Sequence, residues 1–328
     1  MTLLGFVDDV IELRWRYKLI IPCIATLPLA QAYWSQHQST TIVFPSYSHP
    51  STLIQALWEQ FWALRRTISP FSAKSSPSSP KSAESPTALR SISVVQRRGF
   101  EVDGWYYIYI VMLCIFCTNS INIYAGINGL EVGQSIVIAC SLLFINIVDI
   151  LIGGDADYVQ NHVFSATMVL PFIAASLALF DFNCYPARVF VGDTFTYSAG
   201  VTFAAVGIFG HFSKSLLLFF IPQLVNFILS LPQLFKLIPC PRHRLPRVDP
   251  DTQKLKPSVI SSNPTSPYYN RINLTLINVV LSLFGPLGEH TTTRVLLGVQ
   301  FFFSVVAVVL RYKFGSVFPV QVVNGVNA

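Results

Sequence analysis

An all-α fold that threads a membrane several times is what this sequence predicts, and three observations carry the expectation. The 328 residues are 52% hydrophobic and only 12% charged, with a mean hydropathy of +0.53; a soluble domain carries roughly twice that charged fraction. The apolar residues run in long stretches, and a helix needs about 20 of them to cross a bilayer. Polar, glycine-rich and basic segments gather where those stretches end.

Seven stretches predict crossing helices: 19–34, 105–121, 132–152, 163–180, 194–210, 215–235 and 295–312. Pro22, Pro28, Pro171, Pro222 and Pro232 fall inside them. Membrane helices tolerate this because neighbouring groups re-satisfy the freed backbone. The patch 274–288, with Pro286 and Gly288, reads as interfacial. Residues 69–93 are rich in Ser and Pro and cannot bury a core, which predicts a disordered insert. The whole of 1–328 reads as one membrane-embedded domain, with 236–294 as a long polar loop. The chain opens directly on Gly5-Phe-Val-Asp8-Asp9-Val, as though further spans preceded it.

Several function classes fall away. The formal charge of +6 is modest, and no basic face with interleaved aromatics suits nucleic acid. Cys114 and Cys117 form a CxxC inside an apolar span without a second ligand pair, so they read as small packing residues. There is no Walker A loop for an ATP-driven pump and no Gly-x-Ser-x-Gly nucleophile elbow.

Alternate threading places the informative segments together. With Asp8 and Asp9 on one side, 119–131, 181–193 and 236–294 return to it, while 153–162 and 211–214 fall opposite. Arg14, Arg16, Lys18, Lys236, Arg242, Arg244, Arg247, Lys254, Lys256 and Arg271 crowd the first side, which the positive-inside rule makes cytosolic. The basic residues of 65–98 fall on the other side and are the exception.

Four constellations lie on that face. Asn119 and Asn122 are three apart, on one side of a helix, and lead into Ala125-Gly126-Ile-Asn128-Gly129-Leu-Glu131. This is either a ligand-approaching backbone or a polar cap with a glycine turn. Asp8 and Asp9 point about 100° apart on a helix. One can sit near a metal while the other pairs with a cation, unless both form a solvated cap. Lys18 lies where an ammonium reaches a phosphate or simply snorkels. Phe190 and Asp193 follow: the ring can stack on a base, and the carboxylate either caps a helix or offers Mg²⁺ a hard oxygen alongside an Asn carbonyl. Finally, Pro239-Cys-Pro-Arg242-His243-Arg244 presents arginine forks, suited to phosphate or to a positive-inside anchor. Together the four suit phosphosugar transfer, in which a metal neutralises a pyrophosphate. Rival readings are a transferase for another donor sugar, a truncated non-catalytic membrane protein and a transporter, which needs polar residues at mid-bilayer.

The stretches GFVDDVIELRWRYK, FCTNSINIYAGINGLEVGQS, YPARVFVGDTF, GIFGHFSKSLLLFFIPQ and IPCPRHRLPR resemble those of the polyprenyl-phosphate N-acetylhexosamine-1-phosphate transferases. IPCPRHR resembles the eukaryotic branch. The resemblance implies transfer of N-acetylglucosamine 1-phosphate from UDP-GlcNAc to dolichyl phosphate, releasing UMP. It places the site on the cytosolic side of the endoplasmic reticulum membrane, with Mg²⁺ as cofactor and the bilayer and a homodimer as further partners. By the same resemblance Asn122 and Asp193 hold Mg²⁺ and Lys18 contacts the donor pyrophosphate. Gly126, Asn128 and Phe190 line the uridine pocket beside Glu131, and Arg242, His243 and Arg244 grip the pyrophosphate and sugar. Asp8, Asp9 and Asn119 lie near the acceptor phosphate.

Overall fold

The structure, a computed structural model, describes residues 1–11, 13, 17–36, 41–43, 99–101, 103–241 and 244–313. The expected insert at 69–93 lies outside them, as do Arg14, Arg16, Arg242 and His243. The chain divides into two compact units, 1–41 with 101–328, and 42–100. The strands β1 (Thr41–Val43) and β2 (Gly99–Glu101) pair with each other.

The first unit is helical. In chain order it runs α1 (Thr2–Ile11), α2 (Tyr17–Ala25), α3 (Leu27–Gln36), α4 (Asp103–Ile123), α5 (Leu130–Ile152), α6 (Ala156–Asn183) and α7 (Asp193–Phe209). There follow α8 (Ser213–Phe219), α9 (Ile221–Leu234), a hairpin of β3 (Arg247–Val248) with β4 (Leu255–Lys256), α10 (Leu276–Phe284) and α11 (Glu289–Lys313). Trp105–Ile123, α5, α6 and α11 are long and apolar enough to cross a membrane, and α8 with α9 makes a fifth crossing if the bent pair counts as one. This is a mainly helical, multi-pass membrane protein.

Three of the expected spans take a different form. The 215–235 stretch breaks at Phe220, and its halves are bent by 70°. Pro222 lacks the N–H that would continue the ladder, and its ring would meet the carbonyl one turn back, so it starts a new helix. The 19–34 stretch breaks at Thr26 into helices of 9 and 10 residues. There Pro28 withholds its N–H, and the Thr26 hydroxyl turns back to donate to Cys23 O at 3.0 Å. The 194–210 stretch is the 17-residue α7, largely buried against α1, α4 and α6. Its apolar length is spent on packing inside the bundle.

Buried polar networks among the described residues hold the bundle, and two of them were not foreseen. Gln223 Nε2 donates to Gln134 Oε1 and Gln300 Oε1, each at 2.7 Å, tying α9 to α5 and α11. Near the far end of α5, Asp149 accepts from Arg311 Nη2 at 2.6 Å and Tyr312 OH at 3.1 Å, while Arg311 Nη1 donates to Ser215 Oγ at 2.9 Å. A buried charge is tolerated when it is paired and hydrogen-bonded, as this one is. Asp149 lies about 27 Å along α5 from Glu131 at 1.5 Å per residue.

The 236–294 segment is folded where described. Leu255 pairs with Leu287. The short α10 turns Ile277, Val280 and Leu281 inward and leaves Leu283 and Phe284 exposed. Those inward residues join Tyr124, Ile127, Leu130, Leu255 and Leu296 in an apolar cluster.

Candidate functional site

Four segments far apart in sequence meet at one end of the bundle. Asp8 of α1 is buried and forms an ion pair with Lys18 Nζ at 2.8 Å. Its carboxylate also accepts from Tyr197 OH at 3.2 Å and from the Leu13 N–H at 3.0 Å. Lys18 lies 3.3 Å from Asp193 Oδ2, and Asn122 Nδ2 donates to Asp193 Oδ1 at 2.6 Å. One ammonium thus stands between two carboxylates, leaving a surplus negative charge.

The two adjacent aspartates diverge as helix geometry requires. Asp8 takes the cation, and Asp9 points to the start of α7. Asp9 Oδ1 accepts the Asp193 N–H at 2.7 Å, and Oδ2 accepts the Thr194 N–H at 2.9 Å and hydroxyl at 2.6 Å. The cap of α7 therefore comes from α1. Gly192 is the N-cap residue and has no side chain to cap with. A Cβ there would collide with the Asp9 carboxylate. Asp193 does not cap its own helix; its carboxylate faces Asn122 and Lys18.

Beside this cluster opens a cavity of about 390 Å³. Six of the expected residues line it: Asn122, Gly126, Glu131, Phe190, Asp193 and Arg244. Phe190 is 90% exposed, so its ring is free to stack. Glu131 Oε1 accepts the Gly126 N–H at 2.8 Å and so shapes the 124–129 loop, which turns through positive φ at Gly126 and Gly129. Arg244 stands on the 236–275 side. Its carbonyl is held by Asn278 Nδ2 at 2.9 Å and Ser258 Oγ at 3.1 Å. Its Nη1 is buried with no hydrogen-bond partner among the described residues. Burial draws its pKa below the ordinary guanidinium value. A buried donor left unpaired beside a cavity can donate to an acceptor that enters it.

The other expected residues stand further back. Asp8 and Lys18 support Asp193 and do not line the cavity, and Asp9 acts through the α7 terminus. Asn119 donates its amide to Ile115 O of its own helix at 2.9 Å. Asn128 is held by its main chain, N–H to Glu289 Oε1 and carbonyl to Thr293 Oγ1.

The cavity also uses Thr196, Asn226, Thr275 and Ile277, which sequence reasoning passed over. Asn226 ties Ile123 O at 3.1 Å to the Leu276 N–H at 2.8 Å, joining the end of α4 to the start of α10. A carboxamide inside an apolar stretch was a legible signal there. Nothing in the pattern around Tyr197 or Asn278 marks either residue.

The glycosyl transferase family 4 model matches residues 1–211. The chain is 42% identical over 323 residues to the UDP-N-acetylglucosamine–dolichyl-phosphate N-acetylglucosaminephosphotransferase of Dictyostelium discoideum, covering 95% of this chain and 66% of that protein. Proteins of the same name from Saccharomyces cerevisiae (37% identity, 96% of this chain, 66% of that protein) and Leishmania amazonensis (38%, 95%, 68%) are similar in the same way. The chain spans about two thirds of the length of these relatives.

Proposed function

Since the chain belongs to glycosyl transferase family 4, we propose that it transfers N-acetylglucosamine 1-phosphate from UDP-GlcNAc to dolichyl phosphate. In this reading a phosphate oxygen of the acceptor attacks the β-phosphorus of the donor. The bond from that phosphorus to the bridging oxygen breaks, and UMP leaves with the electron pair. The products are GlcNAc-diphosphodolichol and UMP, the opening step of N-linked glycan precursor synthesis. The acceptor is already anionic, so the step needs positioned charge more than a base.

One observation carries the reading. A carboxylate and a carboxamide line one wall of the cavity with an ammonium 3.3 Å behind the carboxylate, and an arginine whose Nη1 has no partner among the described residues lines the same cavity. The negative charge of a diphosphate suits the arginine, and a cation bridging to the carboxylate would complete the match. The donor set also fits Mg²⁺. Asp193 supplies a carboxylate and Asn122 a carboxamide, which offers its oxygen after a simple amide rotation. The surplus negative charge favours a cation. No group of three or more His, Cys, Asp or Glu side chains suited to a metal occurs among the described residues. That leaves a site with few protein ligands, and Mg²⁺ takes such sites because it keeps waters and substrate phosphates. When bound, the ion would neutralise charge developing on the diphosphate. Lys18, held by Asp8, would add an ammonium to the donor phosphates. Phe190 would stack on the uracil, and Arg244 would take a phosphate oxygen, with Arg242 and His243 as its proposed companions.

The reading includes seven crossings, with α7 and the α2–α3 pair added to the five, and an active face toward the cytosol in the endoplasmic reticulum membrane. The basic residues Lys236, Arg244, Arg247, Lys254 and Lys256 near that end support this side. The test uses the chain in dolichyl-phosphate liposomes with UDP-GlcNAc or UDP-GalNAc, scoring UMP and lipid-linked sugar. Lipid-linked GlcNAc with UMP in equal amounts is expected. Turnover of UDP-GalNAc alone, or of neither donor, overturns the reading.

A further inference from the structure

The loop between α4 and α5 borders the cavity through Gly126, yet it is gripped from behind by residues that do not line the cavity. Glu289, the first residue of α11, accepts the Asn128 N–H at 2.8 Å. Thr293, one turn further on, donates its hydroxyl to the Asn128 carbonyl at 2.9 Å. Side chains at i and i+4 share one helix face. That face therefore takes both main-chain polar groups of a single residue. A third anchor comes from the end of α6, where buried Asn183 accepts the Gly129 N–H at 3.1 Å and donates to Val189 O at 3.1 Å.

The bracket is rigid because α11 is pinned at its other end. Arg311 bonds Asp149 and Ser215 there, which fixes the height of the helix against α5 and α8. Thr293 is only 6% exposed, so its hydroxyl has no easy exchange with water. A loop with two glycines at positive φ is otherwise loose. Ordering it upon ligand entry would subtract from affinity.

We propose that Glu289 and Thr293, with Asn183, are positioning residues that pre-order the 126–129 loop for the nucleotide half of the donor. They set donor affinity and leave the transfer step itself largely alone. This rests on the reading that the loop meets the uridine of UDP-GlcNAc.

The experiment uses the full chain in nanodiscs, measuring Kd for UDP and steady-state constants for both substrates. Thr293→Val keeps the shape and removes the hydroxyl, and Thr293→Ser restores it. Loss of one such hydrogen bond predicts a rise of roughly two- to tenfold in Kd for UDP and in KM for UDP-GlcNAc. The expected pattern keeps kcat and KM for dolichyl phosphate close to the parent, with Thr293→Ser returning the donor constants. Should Thr293→Val not fold, Glu289→Gln reads the same quantity. Its amide still accepts but without charge, so a smaller rise confined to the donor is expected. An unchanged donor constant, or both KM values rising together, overturns this inference alone. A parent chain that binds no UDP overturns it together with the functional reading.

Discussion

Asp9→Ala tests how the site is assembled. The change removes both oxygens that meet the start of α7, and with them the bonds to the Asp193 N–H, the Thr194 N–H and the Thr194 hydroxyl. Gly192 offers no substitute. Losing a helix N-cap costs about 0.5–2 kcal/mol, and bonds to an ionised acceptor run to about 1.5–3 kcal/mol each. Asp9 is exposed, so water screens its charge and the lower range applies. The expected loss is about 1–2 kcal/mol, a factor of roughly 5–30 in the ratio of docked to undocked α7 termini. Asp193 is the first residue of that helix, so transfer should fall, with that factor as its upper bound. Hydrogen exchange of residues 193–196, with a thermal melt in detergent, reads the docking directly. Asp9→Asn retains one accepting oxygen and should fall between parent and alanine. Parent-like protection of 193–196 in Asp9→Ala would refute the reasoning.

The other predictions concern separate parts of the molecule. Gly192→Ala drives a methyl into the Asp9 carboxylate and should lower transfer by up to as much as Asp9→Ala does; parent-level activity would show that the carboxylate keeps its cap despite the methyl. Asp193→Ala should abolish the proposed Mg²⁺-dependent transfer while the chain stays membrane-inserted, read by titrating MgCl₂ in a membrane assay; undiminished turnover contradicts the proposed metal role. Arg311→Ala leaves Asp149 buried without its cation and should cost about 3–5 kcal/mol, seen as a lowered melting midpoint; an unshifted midpoint contradicts the pairing. Asn273-Leu-Thr275 is a glycosylation sequon, but Asn273 is 0% exposed and its amide is engaged by Ser258 and Gln233. It should remain unmodified in cells, and a glycosidase-sensitive shift in mobility would contradict both the packing and the proposed cytosolic side.

The apolar stretches were legible because crossing a bilayer demands length and composition, and both are local properties. Hence α5, α6 and α11 fall close to where the pattern puts them. Proline 222 was visible in the sequence, but whether it kinks a span or breaks it depends on what packs around the break. The divergence of Asp8 from Asp9 was legible from helix geometry, and Asp8 did take a cation. That Asp9 would cap a helix starting 184 residues later was not legible, since nothing local records which backbone N–H groups arrive beside it. Asn119 shows a local contact that its spacing did not announce. Its spacing from Asn122 suggested a shared task, yet its amide finds a nearer acceptor one turn back in its own helix.

By itself the sequence determined that the chain is a membrane helical bundle, which polar motifs it carries, and the family whose motifs they resemble. These follow from composition and short patterns along the chain. Only the tertiary structure decided which groups touch: Lys18 between Asp8 and Asp193, an Arg244 nitrogen beside the cavity with no partner among the described residues, and α11 holding Asn128 from 161 residues away. A hydrogen bond depends on positions to within a few tenths of an ångström, and those positions are set by packing among helices far apart in sequence.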